Sequence, residues 1–229
     1  MSYQPLFTEL STPGFVAGWA PLCDLQGELD PAEWQDISSA STARQRDFIA
    51  GRRLARAIST TLELPPHPLR RGEDRSPVWP SDRAGSLSHS KTLCAAAIGK
   101  RDEIRSVGID IESVGRVEPK LWATLFTERE ATYFASLEPD QVAEETTLFF
   151  SAKETFYKCQ YPVTHSWVGF QDVEIQRRDD SALSARPTRG SAQIWHQSAI
   201  HLLRLDASHV VTLMAVSYTH LRAHETHDD

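Results

Sequence analysis

The stretch Val107-Gly-Ile-Asp-Ile-Glu112 decides how this 229-residue chain is read. Val107, Ile109 and Ile111 alternate with Gly108, Asp110 and Glu112, so the period of two of a strand sends the aliphatic side chains to one face and both acids to the other. Two readings fit. An antiparallel strand with one wet face carries polar side chains there for solvation alone. Two carboxylates on one face are also half of a hard-cation site, since Mg²⁺ takes oxygen ligands, commonly one or two protein carboxylates completed by phosphate oxygens and water.

A second cluster lies downstream, in Phe149-Phe-Ser-Ala-Lys-Glu-Thr-Phe-Tyr-Lys158. Phe149, Ala152, Phe156 and Cys159 recur at helical spacing and mark the buried stripe of a helix expected over about 144–160, ended by Pro162. Glu154 and Lys158 fall on another side, one turn apart. As an i,i+4 ion pair they contribute only about 0.2–0.5 kcal/mol; as a third carboxylate with a cation beside it, they complete what Asp110 and Glu112 begin. Between the clusters, Thr127-Glu-Arg-Glu130 has the S/T-x-x-E form of a capping box. That gives Glu130 a structural role, on a helix running to about Ser136 and closed by a loop at Pro139.

Upstream, Asp30-Pro31 reads as a helix start through Trp34 and Ile37. A longer helix is expected from Ser41 or Thr42 to about Leu62, with Phe48, Ala55, Ile58 and Leu62 facing the core. Arg52 and Arg56 lie away from that stripe at i and i+4. They form either a solvated basic face or a pair of planar forks for phosphate oxygens. Eight arginines, Arg75 among them, against four acids give the span Arg44 to Arg75 a local net charge of +4. The prolines of Leu64 to Ala84 predict a surface loop leading to Gly85-Ser-Leu-Ser-His-Ser90. The apolar run Leu93 to Ile98 reads as a buried strand, paired in a hairpin with the strand at Val107 to Glu112. His89, between Ser88 and Ser90, is a structural histidine or a phosphate donor. After Pro162 the expectation is antiparallel strands at Val168–Gln176, Ala192–Trp195, Ile200–Leu205 and Val210–Val216, with Asp179 to Gly190 a polar loop.

Hydrophobic residues make up 40% of the chain and charged residues 24%, the balance of a globular protein. The formal net charge of -7 argues against a surface built for nucleic acid or anionic membrane. No apolar run is long enough for a membrane span and no signal pattern opens the chain, so a cytoplasmic location is expected. Three scattered cysteines offer neither a disulfide framework nor zinc spacing, and are expected as small core residues. The tail from residue 217 loses the apolar pattern; its His220, His224 and His227 read as part of a disordered or non-native end.

Together VGIDIE, SLSHS, FTERE and FSAKETFYKCQYP resemble the 4′-phosphopantetheinyl transferases of the long, monomeric type, in one order and with Glu112 and Glu154 42 residues apart. FSAKE, GRRLAR and DRSPVWP look most like the branch serving enterobactin-type siderophore synthesis. The resemblance implies an α+β fold of two similar lobes in a pseudo-dimeric arrangement, here residues 1–104 and 105–216. It implies transfer of the phosphopantetheine arm of coenzyme A to a serine of an apo acyl, aryl or peptidyl carrier domain, releasing adenosine 3′,5′-bisphosphate. Asp110, Glu112 and Glu154 match the family's Mg²⁺ ligands, and Lys158 the lysine beside the departing phosphate. Glu130 matches a glutamate assigned as general base in some members; Ser88 and His89 match the phosphate-binding segment; Arg52, Arg56 and Arg75 are candidates for the nucleotide phosphates. Phe149, Phe150 and Ser151 depart from the tryptophan that some members carry there. The alternative class is a module that binds coenzyme A or a carrier domain without catalysis, which would not need the whole carboxylate and lysine set.

Overall fold

The computed structural model describes residues 2–188, 195 and 198–217. In it the chain forms two compact units, one of residues up to Val107 joined by Val216 and Ser217, the other running from Gly108 to Ala215. Both are mixtures of helix and sheet, so the fold is α+β.

The first unit contains β1 (Gln4–Leu6), β2 (Phe15–Pro21), α1 (Pro31–Gln35), α2 (Thr42–Thr61), β3 (Arg83–His89) and β4 (Leu93–Lys100). The strand order is β1-β2-β4-β3. Asp30 caps α1, with Pro31 in the first turn and Glu33 closing a capping box; Ser41 caps α2. The helical stripe Phe48, Ala55, Ile58 and Leu62 is buried as its spacing requires. Ala50, Leu54 and Ile58 of α2 share one core with Ala96 and Ile98 of β4. Small side chains at Ala95, Ala96 and Ala97, all wholly buried, leave room for that helix and for the strands either side.

Two expectations fail here. The loop expected over Leu64 to Ala84 holds as far as Asp82, but its last two residues and the serine-rich run after them form β3, paired along its whole length with β4. The hairpin between Leu93–Ile98 and the VGIDIE strand does not exist: β4 is already bonded to β2 on one side and β3 on the other, so no edge remains for a third partner. Cys94 and Cys159 are buried as expected, but Cys23 is exposed.

The VGIDIE strand, β5 (Ile104–Ser113), instead opens the second sheet. There follow α3 (Trp122–Leu125), α4 (Glu128–Ala135), α5 (Pro139–Thr164), β6 (Val173–Arg177), β7 (Ala182–Pro187), β8 (Ser198–Asp206) and β9 (His209–Ser217). The strand order is β5-β9-β8-β7-β6. β7 lies within what was expected to be a polar loop, and pairs with β6 and β8. The expected strand at 192–195 lies outside the described residues except for Trp195, which is buried; the histidines of the tail lie outside them too.

α5 is longer than its apolar periodicity suggested, and both prolines taken as breaks are part of it. Pro139 stands in the first turn, where the missing N–H has no intrahelical partner to lose. Pro162 stands in the last turn, where a proline forfeits a single bond just before His165 closes the helix in the left-handed region.

Candidate active site

β5 and α5 meet without a side chain between them. A Cβ on Gly108 would lie 2.0 Å from the Thr155 carbonyl oxygen and 2.9 Å from the Cys159 nitrogen, so only glycine admits this approach. Because side chains alternate along a strand, the face that carries Gly108 also carries Asp110 and Glu112. The acids are therefore not the solvated side of a strand: Asp110 is 2% and Glu112 6% exposed.

What faces them is the polar side of α5. Lys158 Nζ donates to Asp110 Oδ1 at 2.6 Å and reaches the Ile109 carbonyl at 3.4 Å. Glu112 pairs at 3.1 Å with Arg116, four residues further along the chain. Burial, and then the charge of Asp110, push the Glu112 carboxyl up to about 8, with Arg116 and Lys158 opposing. Burial also raises Glu154, against Lys158, while Asp110 adds to the rise. Burial disfavours the charge on Lys158, but Asp110, Glu154 and Glu112 outweigh it and raise its pKa. Two buried carboxylates of β5 thus lie with Lys158 and Arg116 on them, and half-buried Glu154 of α5 is near enough to feel the charge of Asp110 and Lys158. Among the described residues no three His, Cys, Asp or Glu side chains are gathered in metal-ligating geometry; Lys158 and Arg116 hold Asp110 and Glu112 in ion pairs.

Glu130 sits in a different cluster of the same unit. Its carboxylate closes the capping box by accepting from the Thr127 N–H at 2.7 Å. It also accepts from Lys153 Nζ at 2.7 Å and from the Ile175 N–H at 2.7 Å. Lys153 escaped the sequence reading although it is the neighbour of Glu154; a lysine in the middle of an aromatic helical run, downstream of a capping-box glutamate, was the available signal. Arg116, four residues beyond Glu112, escaped it as well.

The remaining candidates all belong to the first unit. Arg52 is 7% exposed, lies over the Phe48 ring at 3.5 Å and donates through Nε to the Leu69 carbonyl at 3.1 Å. Burial lowers its pKa to about 10, against Glu33. Arg56 pairs with buried Glu33 at 2.8 Å, and Glu33 also accepts from the Leu69 N–H at 2.8 Å. These two arginines therefore fasten the loop around Leu69 to α2. Arg75 is exposed on that loop with φ 69, Ser88 is buried on β3, and His89 at its end is exposed, with Nδ1 3.8 Å from Asp47.

The family model for the 4′-phosphopantetheinyl transferase N-terminal domain matches residues 32–99, and that for the 4′-phosphopantetheinyl transferase superfamily matches residues 106–214. The chain is 33% identical over 151 residues to 4′-phosphopantetheinyl transferase PptT of Mycobacterium tuberculosis, covering 66% of each protein. It is 33% identical over 160 residues to 4′-phosphopantetheinyl transferase Npt of Nocardia iowensis, covering 69% of this chain and 71% of the relative. Against enterobactin synthase component D of Escherichia coli K12 it is 34% identical over 113 residues, 45% of this chain and 48% of the relative. The chain thus spans about two thirds of the first two relatives' length and about half of the third's. With one model resting on the unit of α2 and the other on the unit that joins β5 to α5, the chain belongs to the 4′-phosphopantetheinyl transferase superfamily, a family of enzymes.

Proposed function

We propose that this protein transfers the 4′-phosphopantetheine arm of coenzyme A to a serine of an apo carrier domain, with Mg²⁺ as cofactor. The observation that carries the reading is the pair of buried carboxylates of β5, Asp110 and Glu112, with Lys158 on Asp110 and half-buried Glu154 of α5 electrostatically linked to both. The donor chemistry fits a divalent hard cation: three carboxylates and no sulfur or imidazole. Asp110, Glu112 and Glu154 would hold the ion, which when bound neutralises phosphate charge and favours the ionised form of Glu112.

The chain's own groups account for the rest. The serine oxygen bonds to the phosphorus nearer the pantetheine. The bond from that phosphorus to the bridging oxygen breaks, and the oxygen leaves with adenosine 3′,5′-bisphosphate while the serine proton passes to solvent. Lys158, kept charged by its acidic neighbours, stands ready to meet the growing negative charge on the departing phosphate. Arg75 and His89, both exposed on the first unit, are the candidates there for coenzyme A phosphates, with Ser88. Arg52 and Arg56 are given a different task, holding the Leu69 loop. Enterobactin synthase component D among the relatives supports a carrier of siderophore or other nonribosomal synthesis as the acceptor.

The test is incubation with coenzyme A, Mg²⁺ and a panel of apo carrier domains, followed by mass spectrometry of the carriers. A gain of one phosphopantetheine is expected, lost on chelation of the metal. Asp110→Ala or Glu154→Ala should lower the rate by roughly 10²-fold or more. Folded protein that binds coenzyme A but adds no mass to any carrier would point to the non-catalytic module instead.

A further inference from the structure

Lys153 is a buried lysine, 2% exposed in the middle of α5. An ammonium has three protons to place, and each has an acceptor: the Leu125 carbonyl at 2.9 Å, the Phe170 carbonyl at 2.7 Å and Glu130 Oε2 at 2.7 Å. Glu130, also 2% exposed, is equally committed, since Oε2 takes the Thr127 N–H and Oε1 the Ile175 N–H as well. One ion pair therefore ties together the end of α3, the first turn of α4, the middle of α5, the turn at Phe170 and the strand β6. A general base must come within hydrogen-bond reach of the hydroxyl it deprotonates, and a buried carboxylate with three donors already on it is built for holding instead.

What it holds is beside the acidic cluster. The next residue after Lys153 is Glu154. The Phe170 carbonyl gripped by Lys153 belongs to the segment 167–170, which with Phe156, Tyr157 and Glu154 walls a cleft of about 140 Å³. Trp167 meets the Tyr157 ring edge-on there, and Phe170 stacks on Phe150.

We propose that Glu130 and Lys153 are positioning residues, a buried pair that sets Glu154 and the 167–170 wall of this cleft, and that Glu130 is not the proton acceptor of the reaction. The inference rests on the transferase reading above for its catalytic half; the pairing itself is measured without substrate.

The experiment compares Glu130→Gln, Lys153→Met and the double variant in thermal unfolding and in steady-state transfer. Each single variant strands one buried charge, so each should unfold at a lower temperature, while the double should recover much of the loss. In transfer, Glu130→Gln should raise KM for coenzyme A by about ten-fold and lower kcat by less than about ten-fold, and the double should bring both nearer the parent, because loss of a base costs roughly 10²–10⁴-fold in kcat and is not restored by removing a lysine. A well-folded double variant whose kcat stays 10²-fold or more down would overturn the proposal. Should the double fail to fold, the pH profile of kcat for Glu130→Gln decides: an unchanged acid limb supports positioning, and loss of that limb overturns it. A parent protein that modifies no carrier would sink the transferase reading while leaving the thermal coupling of the pair to be read on its own.

Discussion

Glu112 links the ionisation of the second unit to its folding. Unfolded, its carboxyl has an ordinary value of 4.5; folded, burial and Asp110 bring it to about 8. Across that window the folded protein keeps a proton that the unfolded chain has released, so stability falls as pH rises from the lower value to the higher. A bound divalent cation acts in the opposite sense, since it favours the ionised carboxylate. In metal-free protein, Glu112→Gln should therefore raise Tm at pH 8 and leave it nearly unchanged at pH 4.5. Mg²⁺ should raise the Tm of the parent more at pH 8 than at pH 6. Melting curves in which neither difference depends on pH would remove Glu112 from the cluster. At the same scale, Arg52 and Arg56 show how a basic helix face divides: one side chain stacks on Phe48 and holds a carbonyl, the other neutralises a buried glutamate.

Among elements, the contact of β5 with α5 brings Lys158 to Asp110, and Gly108 sets its closeness. The helix is fixed from its other side by hydroxyls: Thr212 of β9 lies 2.8 Å from Ser151 and 2.7 Å from Thr155, all three wholly buried. α5 is thus pinned in rotation as well as in distance, which keeps Lys158 over Asp110. Gly108→Ala would have to push the helix backbone away, an overpacking that costs typically about 1–3 kcal/mol. For a chain of this length that is roughly 2–4 °C of Tm per kcal/mol. The same displacement should reduce transfer, while Ser136→Ala on the exposed end of α4 should change neither. An unaltered Tm in Gly108→Ala would show that the strand and helix do not touch as described.

For the whole molecule, the proposed metal site has a direct readout. Asp110, Glu112, Glu154 and Lys158 all lie in the unit from Gly108 to Ala215, whereas Arg75, Ser88 and His89 lie in the other. Hydrogen exchange with Mg²⁺ alone should accordingly slow at the amides of β5 and α5 and leave β3 and the loop around Arg75 unchanged. Protection by Mg²⁺ confined to the first unit would contradict the assignment of the acidic cluster as the metal site. Much of this architecture was legible beforehand. The alternation of VGIDIE, the stripes of α2 and α5 and the caps at Asp30, Ser41 and Thr127 are local patterns, and each appears where its spacing put it. The misses share a cause too: β3 and β7 lack strong apolar alternation and exist because neighbouring strands offer them bonds.

By itself, the sequence determined which side chains share a face, because faces follow from helix and strand periods of a few residues. It also determined the family, through motifs in fixed order. Only the tertiary structure decided the partners: that β5 pairs away from β4, that Lys158 meets Asp110 across 48 residues, and that Glu130 meets Lys153 across 23. A contact between residues that far apart leaves no period in the chain. Whether a carboxylate is solvated, paired or poised for a cation depends on that contact, which settles its burial and its charged neighbours.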